Sequence, residues 1–319
     1  MNPHDRNPHL PGLRLLRHLH GLPGLRRVAS SRDGVRINAL VAGEGPPVLL
    51  LHGYPQTSAM WHRVAPELVA AGHTVVLADL RGYGDSDKPA DTASHEPYSK
   101  RVMAADQVAL MESLGFSRFA VVGHDRGARV AHRMALDAPE RVRSVAVLDI
   151  VPTLHMFENV DRAMASTYFH WFFLALESDL PERLILADTP SWLRSRFAGR
   201  HAGGMPVDEA ATAEYERCFD PATVRASCAD YRAAAGIDLV HDRHDRERGR
   251  MVEPPLLALW GTHSYVGRGF DVPRIWKSYA RQVEAAPVGA DHYLCEEAPH
   301  DVAHALISFC RNTEPGASR

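Results

Sequence analysis

Along most of the chain, short unbroken apolar runs alternate with longer stretches of helical periodicity. Pro47-Val48-Leu49-Leu50-Leu51 is apolar throughout and lies between Gly-Pro and His-Gly. His73–Ala78, Phe119–Val122 and Val145–Leu148 have the same character. Runs this short that do not alternate mark strands buried on both faces, as in a parallel sheet. Val35–Gly43 reads as a further strand. The stretches 61–71, 98–115 and 127–138 read as helices. Strand–helix alternation of this kind predicts an α/β fold, a mostly parallel sheet with helices on both faces.

The alternation stops after Pro152. Residues 153–250 are helical in pattern and aromatic in places, and the strand pattern resumes at Leu256–Gly261. One more strand precedes Gly289, and a helix spans about 299–311. The expected division is a core of 29–152 and 252–319, interrupted by a helical cap of 153–251. Residues 1–28 stand apart as an N-terminal extension, rich in Pro, Gly, His and Arg, with Asp5 its one acid. They lack the apolar stretch and cleavage site of a secretory signal, and a loosely held tail is expected. In His241–Arg250 both signs of charge alternate, which reads as a solvated surface segment rather than a metal pair at His241 and His244.

Composition narrows the class. Of 319 residues, 45% are hydrophobic and 24% charged, and the net charge is −3. A chain without a basic excess is not built for nucleic acid. The four cysteines have no CxxC spacing, which argues against structural zinc or a disulfide scaffold and fits a reducing cytoplasm. No apolar run reaches membrane-spanning length.

The chemistry starts at Gly123-His124-Asp125-Arg126-Gly127. A strand leads in and a helix leads out, the context of a nucleophile elbow, in which flanking glycines permit the sharp turn. The central residue is usually serine, which acylates. Here it is Asp125, and a carboxylate instead displaces a leaving group from sp³ carbon to form an ester. That points to carbon–halogen or epoxide cleavage. Leu51-His52-Gly53-Tyr54-Pro55 follows a buried strand, where a turn can aim a backbone N–H at the same point as that of Arg126, as an oxyanion hole requires. His292, after the last strand, is the candidate base by chain order. Its orienting acid is expected at Asp149, because the loop THSYVGRG after Trp260-Gly261 contains no acid.

With these residues in place, the motifs HGYPQT, DLRGYGDSDKP, GHDRGARV, VLDIVPT, FHWFF, CADYRA and DHYLCEEAP resemble the fluoroacetate (haloacetate) dehalogenases of the α/β-hydrolase superfamily, over about residues 27–311. The resemblance implies Asp125 as nucleophile, His292 as base and Asp149 as acid. It implies that Arg126 and Arg129 bind the substrate carboxylate, that His170, Trp171 and Tyr231 bind the departing halide, and that Tyr54 and Arg126 supply the oxyanion-hole amides. Two arginines three apart share a helix face and suit a small anion. Neutral donors in a dry pocket suit a poor leaving group such as fluoride. The implied reaction is hydrolytic dehalogenation of a short 2-haloacid, with no metal or organic cofactor, in a homodimer. One stretch departs from the family's pattern: Trp192 is in a shifted register and Arg200 stands where a cap tryptophan is expected. The alternative is an epoxide hydrolase, with Tyr231 and either Tyr168 or Tyr215 as the tyrosine pair. A third reading, a binding protein that has lost turnover, sits poorly with an intact Asp125, His292 and Asp149.

Overall fold

The apolar runs form the middle of one eight-stranded sheet in a computed structural model that describes residues 19, 21–197 and 205–314. The strands are β1 (Arg26–Arg32), β2 (Val35–Ala42), β3 (Pro47–Leu51), β4 (Thr74–Ala78), β5 (Phe119–His124), β6 (Val142–Leu148), β7 (Leu256–Gly261) and β8 (Val283–Val288). Their order across the sheet is β1-β2-β4-β3-β5-β6-β7-β8. β1 pairs antiparallel with β2, and β2 antiparallel with β4. All other pairs are parallel. Strands β4, β5 and β6 are buried at every position, because helices cover both faces.

No strand is expected before residue 35, yet β1 begins at Arg26, within the stretch taken as the extension. Its sequence RRVASSR is polar and it lies at the sheet edge, so it lacks the apolar run that reveals a central strand. Residues 1–18 and Arg200 lie outside the described residues. The helix expected over 61–71 divides into a short 3₁₀ turn, Ser58–Trp61, and a helix, Ala65–Ala70. Pro66 explains the break, since proline is tolerated in a first turn but not in a helix interior.

Between β6 and β7 the described chain is helical, from Thr153–Glu158 to Ile237–Glu247. Part of His241–Arg250 is not solvated, contrary to expectation. Asp245 is buried, and Arg133 pairs with it and with Asp242, the latter at 2.6 Å. Asp238, Asp242 and Asp245 fall on one helix face at spacings of four and three, so sequence alternation hides a carboxylate stripe turned inward.

Because β3, β5, β6, β7 and β8 run parallel, the loops that follow them open on one edge of the sheet. That edge receives Tyr54 after β3, Asp125 after β5, Asp149 after β6, Ser264 after β7 and His292 after β8.

Candidate active site

The elbow explains why Asp125 is displayed. Asp125 takes φ 45° and ψ −110° between β5 and the helix Arg126–Asp137, a conformation that costs a non-glycine residue on the order of 1–3 kcal/mol and is held only by its surroundings. The flanking glycines are steric necessities. A Cβ on Gly123 would lie 2.3 Å from Gly127 O, and one on Gly127 would lie 2.5 Å from both Leu51 O and His52 O. The helix can therefore press onto β5 and β3, and Asp125 is turned toward the sheet edge. Its Oδ2 accepts the Tyr54 N–H at 3.1 Å. Arg126 opens the following helix, so its N–H belongs to the first-turn donors that have no partner inside the helix. Burial alone would raise the Asp125 pKa, but the neighbouring His292 and His124 rings and the Arg129 and Arg126 guanidinium groups outweigh it and hold the carboxyl below its ordinary value.

His292 Nδ1 lies 2.6 Å from Asp149 Oδ2. Asp149 is itself fixed, because its Oδ1 accepts the Ser264 hydroxyl at 2.6 Å and the Gly261 N–H at 3.1 Å. With Nδ1 donating to the carboxylate, Nε2 is left as the basic nitrogen. The loop THSYVGRG thus contributes an orienting hydroxyl in place of an acid. Ser264 carried no signal in a search for carboxylates.

The two arginines of the elbow helix have different surroundings. Arg126 is enclosed by Asp230: Nε donates to Oδ2 at 2.9 Å, and Nη2 to Oδ1 at 2.6 Å and to the backbone O at 2.7 Å. Lys100 and the Tyr83 hydroxyl also bind the Asp230 carboxylate. Burial opposes these charges, yet Asp230 raises the Arg126 pKa and is itself held low by Arg126 and Lys100. Arg126 Nη1 has no hydrogen-bond partner among the described residues. Arg129 Nη1 donates to Val151 O at 3.2 Å and to Thr153 Oγ1 at 3.0 Å. It forms no ion pair with a carboxylate side chain among the described residues, and burial pushes its pKa down to about 10.

His170, Trp171 and Tyr231 converge from two helices of the insertion. Ring centroids of His170 and Trp171 lie 5.9 and 6.1 Å from that of Tyr231. The Tyr231 hydroxyl is buried without a hydrogen-bond partner among the described residues, and burial raises its pKa. An unsatisfied buried donor is costly unless a ligand accepts from it.

Asp125, His292, Asp149, Arg129, Tyr54, His170 and Trp171 line one small cavity, with Tyr168, Arg196, Val266 and Tyr293 completing the wall. Arg126 and Tyr231 are not among these lining residues; the Arg126 guanidinium lies over the Tyr231 ring at 4.2 Å. The cavity encloses about 10 Å³, close to the space one water needs. Sequence reasoning missed Arg196, which nothing in the sequence separates from a surface arginine. It also missed Asp230, although that residue stands beside Tyr231 in CADYRA. Trp192, despite its shifted register, reaches the wall, and its indole N–H donates to Tyr54 Oη at 2.7 Å. Tyr215 does not reach the pocket lining; its hydroxyl is bound to Glu296 at 2.5 Å.

The family described as the α/β hydrolase fold matches residues 46–299. A fluoroacetate dehalogenase from a Burkholderia species is 44% identical over 293 residues, 91% of this chain and 95% of that protein. A soluble epoxide hydrolase from a Corynebacterium is 31% identical over 87% of this chain and 94% of that protein. The Nostoc protein ALR0039 superposes with a TM-score of 0.87 at 47% identity, covering 90% of this chain and 98% of that one.

Proposed function

Because this chain belongs to the α/β-hydrolase family, we propose that its pocket hydrolyses carbon–halogen bonds of short 2-haloacids, converting haloacetate and water to glycolate and halide. The observation that carries the reading is a buried aspartate at a strained elbow, sharing a cavity of about 10 Å³ with an oriented histidine and with Arg129. The likeness to a fluoroacetate dehalogenase supports it.

In this mechanism Arg129 and the Nη1 of Arg126 hold the substrate carboxylate. Asp125 Oδ attacks the α-carbon as the carbon–halogen bond breaks, and the halide leaves with the bonding pair into donors from His170, Trp171 and Tyr231. The product of that step is an ester on Asp125. His292 Nε2 then takes a proton from water, and the hydroxide adds to the ester carbonyl carbon. The Tyr54 and Arg126 N–H groups receive the oxyanion. Collapse releases glycolate and restores the Asp125 carboxylate, and the proton on His292 returns to solvent. Residues 153–251 serve as a cap over a core of 29–152 and 252–319. Its donors matter because a departing fluoride needs strong hydrogen bonding as charge develops on it.

A reducing cytoplasm and a homodimer belong to the same proposal. All four cysteines are free and buried, in keeping with such a compartment. Among the described residues no helix is long and apolar enough to cross a membrane.

Halide release from fluoroacetate and chloroacetate tests the reading. The wild type turns over, and Asp125→Ala releases no halide. An unchanged rate in that variant overturns the mechanism. Preferential turnover of styrene oxide over chloroacetate would instead favour an epoxide hydrolase.

A further inference from the structure

Two guanidinium groups line the cavity, and they approach from different sides. Arg129 comes from the elbow helix, and Arg196 from the helix Thr189–Phe197 of the insertion. Arg196 Nε and Nη2 donate to Ser195 Oγ at 3.3 and 3.1 Å. Its guanidinium stacks over the Trp192 ring at 4.5 Å and the Phe169 ring at 4.9 Å. Phe169 is 45% exposed while Arg196 is only 6% exposed. The cation thus lines the cavity while stacking on an aromatic ring that is itself exposed to solvent. Its backbone carbonyl accepts the Tyr293 hydroxyl at 3.0 Å, and its stacking partner Trp192 is bonded to Tyr54. Tyr293, which lines the same cavity, holds the main chain of Arg196, and Trp192, which bonds to the cavity wall, stacks on its guanidinium.

A guanidinium in the wall of a cavity that also holds Asp125 presents positive charge to whatever occupies that cavity. The placement makes sense if an anion passes it. An incoming haloacid must carry its carboxylate toward Asp125, which is also negative. Cations on both sides of that path reduce the repulsion and concentrate the anion at the mouth.

We propose that Arg196 is a specificity-determining residue, the first cationic contact of an anionic haloacid on its way to Arg129. The proposal rests on the haloacid reading above. A contact made on the way in and kept equally in ground and transition states acts on kcat/KM and leaves kcat alone. Attraction through a partly solvated mouth is also weakened by salt.

Arg196→Gln and Arg196→Lys are compared with wild type by chloride release from chloroacetate over a range of ionic strength, with melting temperatures as the control for folding. Arg196→Met, which keeps the apolar stem, replaces the glutamine variant if that does not fold. The expected result is a loss of about tenfold in kcat/KM for the neutral variant, with kcat within about twofold. The salt dependence of kcat/KM flattens, and lysine retains most of the wild-type value. An unchanged kcat/KM, or a loss confined to kcat, overturns the proposal. A wild type that releases no halide from any haloacetate instead overturns the haloacid reading, so the two failures are distinct.

Discussion

His124 Nε2 donates to the backbone carbonyl of His292 at 2.8 Å, with the two rings 4.7 Å apart. The residue preceding the candidate nucleophile thus holds the main chain of the candidate base. A carbonyl only accepts, so this nitrogen carries the proton. Burial, then the nearby His292, pushes the His124 pKa down to about 4, and the ring is neutral at pH 7.

Replacing His124 by leucine leaves the His292 carbonyl buried without that donor, at a cost of about 1–3 kcal/mol. The expected outcome is a lower denaturation midpoint together with a lower kcat, because His292 is less well placed. His124→Gln keeps a donor and recovers part of both. A leucine variant with an unaltered kcat would reduce His124 to packing alone.

Asp149→Asn keeps the shape of the orienting group and removes its charge, so His292 loses its preferred tautomer. Turnover is expected to fall by about 10³–10⁴. Asp125 alkylation does not need the base, so a single equivalent of halide should still appear in a burst. Mass spectrometry of the intact protein should then show one carboxymethyl group retained. Loss of the burst as well would mean that Asp149 also serves the first step.

Tyr231→Phe removes one buried donor from the leaving-group side. Charge builds most on fluoride, whose bond is hardest to break, so fluoroacetate should lose on the order of 10²-fold in kcat and bromoacetate much less. Parallel halide-release assays on the two substrates measure that ratio, and equal losses would place the hydroxyl elsewhere in the reaction.

Asp230→Ala strips Arg126 and Lys100 of a shared buried counter-charge. Breaking such a network from one side costs about 3–5 kcal/mol, and denaturant unfolding should show it. Asp230→Asn, which retains acceptors, should lose less.

Glu296 gives a pH prediction. It is buried, accepts the Tyr215 hydroxyl at 2.5 Å, and joins the insertion to the core beside Gln56. Burial above all raises its pKa to about 8, against an ordinary value near 4.3 for a free glutamate. The folded state therefore binds a proton that the unfolded chain has released, so this contribution is complete below about pH 4.3 and is lost as pH rises through about 8. Melting temperatures should decline over that window in the wild type. Glu296→Gln, neutral throughout, should decline less, and parallel curves would exclude Glu296 as the cause.

Much of this molecule is written locally. Glycine at 123 and 127 leaves room for one backbone to press on another, and apolar runs specify central strands whatever surrounds them. The elbow, its aspartate and the α/β alternation follow from such short-range rules. So did the choice of Asp149, since chain order and the lack of an acid in the loop after β7 left few alternatives. Polar β1 escaped notice because an edge strand needs no apolar run.

What only the tertiary structure decided are the partners of charged side chains. Arg126 and Arg129 look equivalent in sequence, yet Asp230 encloses one while the other lines the cavity. Arg196 is one arginine among many until the fold sets it in the pocket wall. An ion pair or a stacked guanidinium depends on residues distant in the chain arriving within a few ångströms, and no local pattern encodes that meeting. The sequence by itself determined the elbow, the aspartate at its apex and the sheet that displays it, because backbone sterics and hydrophobic burial act on neighbours. The fold decided which cations line the cavity.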